Sequence, residues 1–247
     1  MIKLDLSKIC FSKKDILFGV KLPKILTPQL AYETGVHIGD GCLSNLRSRS
    51  HVYRIIYSGN SRNEIPFFEH ALKPLLKNIY NKNVRVASVR KNECRIEFGS
   101  KAIFQFKNQI LGLPVGPKSE VSIPTNIFSN EKLAMNCLRG IADTDFSLAF
   151  LKKHKDINYY PKIKGDSKSK FLIVQIEHLV KKYLRIDPVV SYDVKRYDNR
   201  TGKTSIANTI ELNGVKRLNL WMKKIGFTNV VHMKKFFIWK KLGYIPK

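Results

Sequence analysis

The sequence predicts an α+β fold built from two similar halves, each running α-β-β-α-β-β-α. Three observations carry this prediction. Segments with helical and with strand periodicity follow one another in the same order twice. Landmarks recur at a nearly constant offset: Asp40 is matched by Asp145 and Leu76-Lys77 by Val180-Lys181, with Gly112 and Gly226 spaced slightly wider. A stretch rich in proline and serine separates the two runs. Four short strands per half make a sheet covered by helices on one face only. The other face stays open, and two halves side by side give a long concave surface.

The elements follow in order. Residues 1–24 are basic and weakly patterned and read as an N-terminal arm or lead-in strand. The first half spans 25–116. Thr27 can cap a helix and Pro28 suits its first position, where a missing N–H costs nothing. That helix is expected over 28–38, stopping at Gly39-Asp40-Gly41. A strand is expected over 51–57, then a helix over 67–80 kinked by Pro74, whose ring removes a donor and clashes with the preceding turn. Residues 84–98 read as two strands around Lys91-Asn92. Residues 102–111 read as a helix ended by Gly112 and Pro114.

A linker covers 117–130, and the second half covers 131–247. Asn130 or Ser129 can cap a helix over 131–142. Strands are expected over 146–151 and 157–163, then a helix over 171–184. Two further strands, 189–194 and 204–212, meet at a hairpin turn over 199–202. A helix over 215–224 ends at Gly226, and a basic, aromatic segment, 233–242, closes the chain.

Of 247 residues, 45 are Lys or Arg and 19 are Asp or Glu, a formal net charge of +26. Hydrophobic residues make up 43% and aromatic residues 11%, enough for a large core and too much for wholesale disorder. A charge of +26 implies a polyanionic partner or an anionic surface. No apolar run reaches the ~18 residues of a membrane span, so no membrane partner is expected; the 233–242 segment is expected to pack on the second half, with Phe236 and Trp239 in the core. Cys10, Cys42, Cys94 and Cys137 have no CxxC spacing and read as reduced thiols, which suits a cytoplasmic or organellar compartment. The histidines are too scattered for a local zinc site.

Against this basic background the helix ends at Asp40 and Asp145 stand out. Aligned on these aspartates, Ala31 matches Asn136, Gly35 matches Gly140, and Gly39 matches Thr144. Each set lies on one face at i, i+4 and i+8. Small side chains let helix axes approach more closely than the usual 8–10 Å. A parallel pair would then bring Asp40 and Asp145 side by side. Two adjacent carboxylates repel, and desolvation worsens that. Divalent cations relieve the repulsion, and magnesium is often held by one or two protein carboxylates plus substrate phosphates. Asp143 matches Ile38, so it is not expected to be a required ligand.

The segments Glu33-Thr-Gly-Val-His-Ile-Gly-Asp-Gly41 and Leu138-Arg-Gly-Ile-Ala-Asp-Thr-Asp-Phe146 resemble the two signature motifs of the LAGLIDADG homing endonucleases, in their single-chain, two-motif branch. The similarity extends through Leu113-Pro-Val-Gly116 and Val121-Ser-Ile-Pro124 and across nearly the whole chain. The resemblance implies tandem αββαββα repeats forming a pseudo-two-fold saddle with concave antiparallel sheets, with the motif helices at its centre. It implies a monomeric, intron-encoded enzyme that cuts both strands of a long double-stranded DNA site across the minor groove and leaves 3′ overhangs. It also implies Mg2+, with Mn2+ able to substitute, bound at Asp40 and Asp145 with Gly39 and Thr144 beside them. A basic residue late in each half would complete the catalytic set, and Lys101 and Lys216 are the nearest matches. Four positions depart from the motifs: Glu33 and Thr34 replace the usual Leu and Ala, Arg139 replaces Ala, and Phe146 replaces glycine.

The open sheets are expected to lie in the major groove, which admits a two-stranded ribbon. Arg47, Arg49, Arg54, Arg85, Arg90, Lys91 and Arg95 fall near the ribbons of the first half. Lys162, Lys164, Lys168, Lys195, Arg196, Arg200 and Lys203 take similar places in the second. Two other functions share this fold: an intron RNA maturase, equally basic because both partners are phosphate polymers, and a non-catalytic DNA-binding protein. Both aspartates would place unneeded negative charge against a phosphate backbone in the latter.

Overall fold

The computed structural model describes residues 2–45, 53–198 and 202–246. After a short helix α1 (Lys13–Leu17), the first half runs α2 (Pro28–Asp40), β1 (Gly41–Ser44), β2 (Arg54–Asn60), α3 (Ile65–Phe67), α4 (Lys73–Tyr80), β3 (Val86–Arg90), β4 (Glu93–Gly99) and α5 (Lys101–Gln105). A short helix α6 (Thr125–Phe128) leads into the second half. There α7 (Glu131–Asp145), β5 (Phe146–Leu151), β6 (Tyr160–Ser167), α8 (Lys170–Leu179), β7 (Val189–Asp198), β8 (Lys203–Asn213) and α9 (Val215–Lys224) repeat the order, and α10 (Val230–Leu242) follows. The two four-stranded antiparallel sheets have the same topology, β1-β2-β4-β3 and β5-β6-β8-β7.

Both motif helices start where the sequence indicates. Thr27 Oγ1 accepts from Leu30 N at 3.2 Å, and Asn130 Oδ1 accepts from Leu133 N at 3.1 Å. Both run further than expected, to Asp40 and Asp145, because the next residue in each case is already extended and opens a strand. The predicted order calls for a strand after α2, but the sequence does not place β1: four residues directly after a helix leave too little alternation to read. Pro74 does not kink a regular helix. A π-helical turn, Phe68–Leu72, joins α3 to α4 just before it and makes room for the ring.

Alternation along the strands separates two faces. Ile55, Tyr57, Cys94, Ile96 and Phe98 are buried under the helices, as are Ile163, Ile210 and Leu212 in the second half. The intervening residues, among them Arg54, Arg95, Lys162 and Lys164, line the open side.

The N-terminal segment and the linker are both packed against the halves. Within 2–24, Asp15 and Val20 are buried, and Leu4 N donates to Lys24 O at 2.9 Å. The segment is docked on the first half, where Asp15 accepts from Ser100 Oγ and Ala102 N. In the linker, Val121 and Ile123 are buried, and Gln175 holds the Ile123 backbone through both its amide atoms, at 2.8 and 3.1 Å. At the other end, α10 lies on β5: Trp239 stacks on Phe150 with ring centroids 5.4 Å apart, and Phe236 is buried. All four cysteines are free thiols.

Candidate active site and nucleic-acid interface

The site is built by the contact between α2 and α7. A Cβ on Gly35 would fall 2.0 Å from Cys137 O, and one on Gly140 would fall 2.2 Å from Tyr32 O. Only glycine allows the two backbones to touch there. Ala31 is fully buried, whereas Asn136 is half-buried and bonds back to Lys132 O at 2.8 Å. Lower down, a Cβ on Gly39 would fall 1.9 Å from Thr144 Oγ1 and 3.3 Å from Asp145 Cγ. The spacing of small residues thus does what it implies, and Asp40 and Asp145 end their helices at a common point.

The pair is electrostatically strained. Asp40 is half-buried and Asp145 is exposed. Desolvation pushes the Asp40 carboxyl well above the usual range, with the charges of Asp145 and Glu64 adding to it. Desolvation likewise pushes Asp145 up to about 6, against the pull of Lys118 and with the push of Asp166. Two carboxylates crowded in this way favour any cation brought between them.

One cation of the chain lies near them, on the last turn of α2. Lys118 Nζ donates to Ile38 O at 2.9 Å and to Gly39 O. Burial lowers its pKa, and the charges of Asp145 and Asp40 oppose that shift. The strand-like contact that puts it there is short: Val115 bridges Leu43, and Gly116 N donates to Leu43 O at 2.8 Å. The chain leaving the first half is thereby led back across β1, next to the end of α2. Nothing in the local sequence around Pro117-Lys118 distinguishes this lysine from any other in a polar linker.

Lys101 and Lys216, the nearest matches to a basic residue completing the catalytic set, are placed elsewhere. Lys101 opens α5 just after Gly99, which pairs with Arg54 and, beyond it, Ser44, the far end of β1 from Asp40. Lys216 lies in the first turn of α9, just after Asn213, whose partner Lys162 pairs with Ala149, well down β5 from Asp145. The strand lengths carry both lysines away from the aspartates.

Asp143, not expected to be a required ligand, anchors three elements. It is fully buried and accepts from Tyr32 OH at 2.7 Å, Thr228 N at 2.8 Å and Asn229 N at 2.9 Å, which ties α7 to both α2 and the start of α10. Thr144 Oγ1 turns back on its own helix, bonding Gly140 O and Ile141 O. Three motif departures have local causes. Glu33 is buried and paired with Lys107 Nζ at 2.6 Å, Thr34 Oγ1 bonds Leu30 O at 2.8 Å, and Arg139 Nε donates to Ile225 O.

The basic residues of the open faces come as charge ladders. Arg54 pairs with Glu97, and Arg95 with Glu93 at 2.6 Å and Glu97 at 3.2 Å. In the second half Lys162 pairs with Glu211 at 2.7 Å, and Arg196 with Asp166 at 2.7 Å, while Lys164 lies 3.9 Å from both acids. These acids hold the long cationic side chains in place over the sheet. Arg90 ends β3 opposite Glu93, Lys91 sits in the following turn, and Arg85 is exposed just before β3. Lys168 and Lys195 are exposed, and Lys203 begins β8. Arg47, Arg49 and Arg200 lie outside the described residues.

No family model matches the chain, and no curated protein matches it. Solved structures do. I-DmoI in complex with DNA and Mn is 15% identical, with 82% of this chain and 98% of that chain covered and a TM-score of 0.56. The meganuclease I-SmaMI bound to uncleaveable DNA is 10% identical, with 88% and 90% covered and a TM-score of 0.53. The N-terminal LAGLIDADG domain of DUF199/WhiA is 13% identical, with 88% and 92% covered and a TM-score of 0.50. This chain has the LAGLIDADG homing-endonuclease fold.

Proposed function

We propose that this chain, built on the LAGLIDADG homing-endonuclease fold, is a site-specific double-strand DNA endonuclease. It acts as a monomer, with Mg2+ or Mn2+, across the minor groove of a long site, and it leaves 3′ overhangs. The observation that carries the reading is the pairing of Asp40 and Asp145 at the end of the α2–α7 contact, midway between two open, basic sheets. The structures of I-DmoI with DNA and Mn, Ca or Mg support the same use of DNA and a divalent ion.

The donor set fits a hard divalent cation. The two carboxylates are desolvated and raised, and a cation removes the cause. Among the described residues no cluster of three or more His, Cys, Asp or Glu gathers as a metal site. Phosphate and water oxygens would complete the shell, as magnesium permits. A bound ion supplies charge neutralisation at the scissile phosphates and an acidified water. The residues of the chain do the rest. Asp40 and Asp145 fix the ion position. Lys118, braced by two carbonyls of α2, keeps a positive charge beside them, where negative charge develops on phosphate oxygens. The ladders on the two sheets hold the backbone of the duplex and read its major groove on either side.

The test is cleavage of a pool of duplexes containing the joined flanks of the insertion site. It is run with Mg2+, with EDTA, and with Asp40→Asn protein. Mg2+-dependent double-strand breaks at one position, absent from both controls, establish the activity. Asp40→Asn should still bind DNA, at the same or higher affinity, because a charge facing phosphate is removed. Undiminished cutting by that variant would reject the assignment of the site.

A further inference from the structure

The N-terminal segment is fastened to the first half on both sides of a single exposed turn. Before the turn, Asp15 is buried and accepts from Ser100 Oγ at 2.6 Å and Ala102 N at 3.2 Å. After it, Asn81 Nδ2 donates to Gly19 O at 2.8 Å and Lys21 N to Tyr80 O at 3.0 Å. Between these anchors three consecutive bulky apolar residues stand in solvent: Ile16 is 69% exposed, Leu17 78% and Phe18 62%. One exposed leucine is ordinary. Three in succession, held out rigidly and unused by the nuclease reading, form a built protrusion. Its surroundings carry one sign of charge. Lys13 and Lys14 are exposed on the adjoining turn, and Lys82 Nζ lies 5.5 Å from the centre of the Phe18 ring. The acid of the turn itself, Asp15, is committed inside.

We propose that this tip docks the protein on an anionic lipid surface. Ile16, Leu17 and Phe18 enter the boundary between headgroups and acyl chains, while Lys13, Lys14 and Lys82 lie among the lipid phosphates. The combination of an apolar face with flanking lysines is what such a surface recognises. That no helix among the described residues is long and apolar enough to cross a membrane is no obstacle, because attachment requires only the interface. A protein partner fits less well. The tip offers on the order of 400 Å2, about half of what each side of a standard protein interface buries, and it is convex. A fluid bilayer closes around a protrusion of any shape. A second copy of the chain would set lysine ring against lysine ring at a net charge of +26 each. A nucleic acid would use the lysines and leave the aliphatic side chains in water.

The test is flotation of the full chain with phosphatidylcholine vesicles, with and without phosphatidylserine, at physiological salt and with duplex DNA present to occupy the basic sheets. The wild type should float with the anionic vesicles only. The variant Ile16→Ser/Leu17→Ser/Phe18→Ser keeps every charge and should lose at least about tenfold in partition, with melting temperature and DNA affinity unchanged. Lys13→Gln and Lys14→Gln should each cost about fivefold. In Phe18→Trp, vesicles should shift the added emission to the blue. Equal flotation of the triple-serine variant would show diffuse charge attraction only and overturn the proposal. So would failure of the wild type to float, including the case in which the tip instead drives self-association or captures a protein.

Discussion

Phe146 and Gly165 face each other across the first rung of the β5–β6 ladder, and each accounts for the other. A Cβ on Gly165 would fall 2.1 Å from the Phe146 ring, which also stacks on Trp221 at 5.8 Å. In the first half the same rung is Gly41 opposite Tyr57. The two halves hold one glycine and one aromatic ring at equivalent places, with the partners exchanged. Phe146 therefore departs from the motif without cost to the site, because its partner supplies the missing space.

This exchange makes Gly165 sensitive. Gly165→Val should force the Phe146 ring out of its stack and lower stability by about 1–3 kcal/mol through overpacking. Paired with Phe146→Gly, the same change should recover part of that loss. A thermal melt of the two variants checks it, and additive losses would show that the residues are independent.

The buried ion pair yields a second prediction. Glu33 accepts from Lys107, Tyr57 OH and Tyr80 OH, all without solvent access. Lys107→Met strands a buried carboxylate and should cost about 3–5 kcal/mol. Glu33→Leu combined with Lys107→Met removes both charges and should be far milder than Lys107→Met alone. Denaturant unfolding of the three proteins measures this. A double variant as unstable as the single would mean that the loss comes from packing.

Lys118 is the third. Lys118→Met should leave DNA affinity within a few fold and slow cleavage by about 10²–10³-fold, the scale of a lost charge-stabilising donor. Single-turnover kinetics with Mg2+ reads the rate and a gel shift reads the affinity. Lys101→Met and Lys216→Met should have little effect on the chemical step. A rate for Lys118→Met equal to wild type would remove this lysine from the reaction.

The fourth concerns pH. His232 is buried against Phe227, with ring centroids 4.6 Å apart and Nδ1 unpartnered, and desolvation, helped by Lys235, lowers its pKa to about 4. The unfolded imidazole binds a proton near its ordinary value of about 6.5. The folded state resists until about 4. Stability from this residue is thus fully present above about 6.5 and is lost as pH falls toward 4, by up to about 3 kcal/mol. The raised carboxyls of Asp40 and Asp145 act oppositely in the metal-free protein, so the difference between wild type and His232→Met isolates the histidine. That difference should change with pH between about 6.5 and 4. A constant difference would mean that His232 titrates normally.

The sequence by itself determined the duplicated order of elements, the caps at Thr27 and Asn130, the glycine face of the motif helices and the meeting of Asp40 with Asp145. All of these depend on residues close in the chain or on a period that the chain repeats, and small side chains at that period permit the close packing of the two helices. Tertiary structure alone decided the rest. Lys118 reaches the last turn of α2, near the aspartates, because Val115 pairs with Leu43, a contact between segments far apart in sequence. Lys101 and Lys216 miss them because strand register sets how far each helix start lies from the motif ends. Glu33 is tolerated because Lys107 arrives from another helix, and Phe146 because Gly165 lies opposite. Each is a choice of partner across the fold, and local pattern carries no information about which partner arrives.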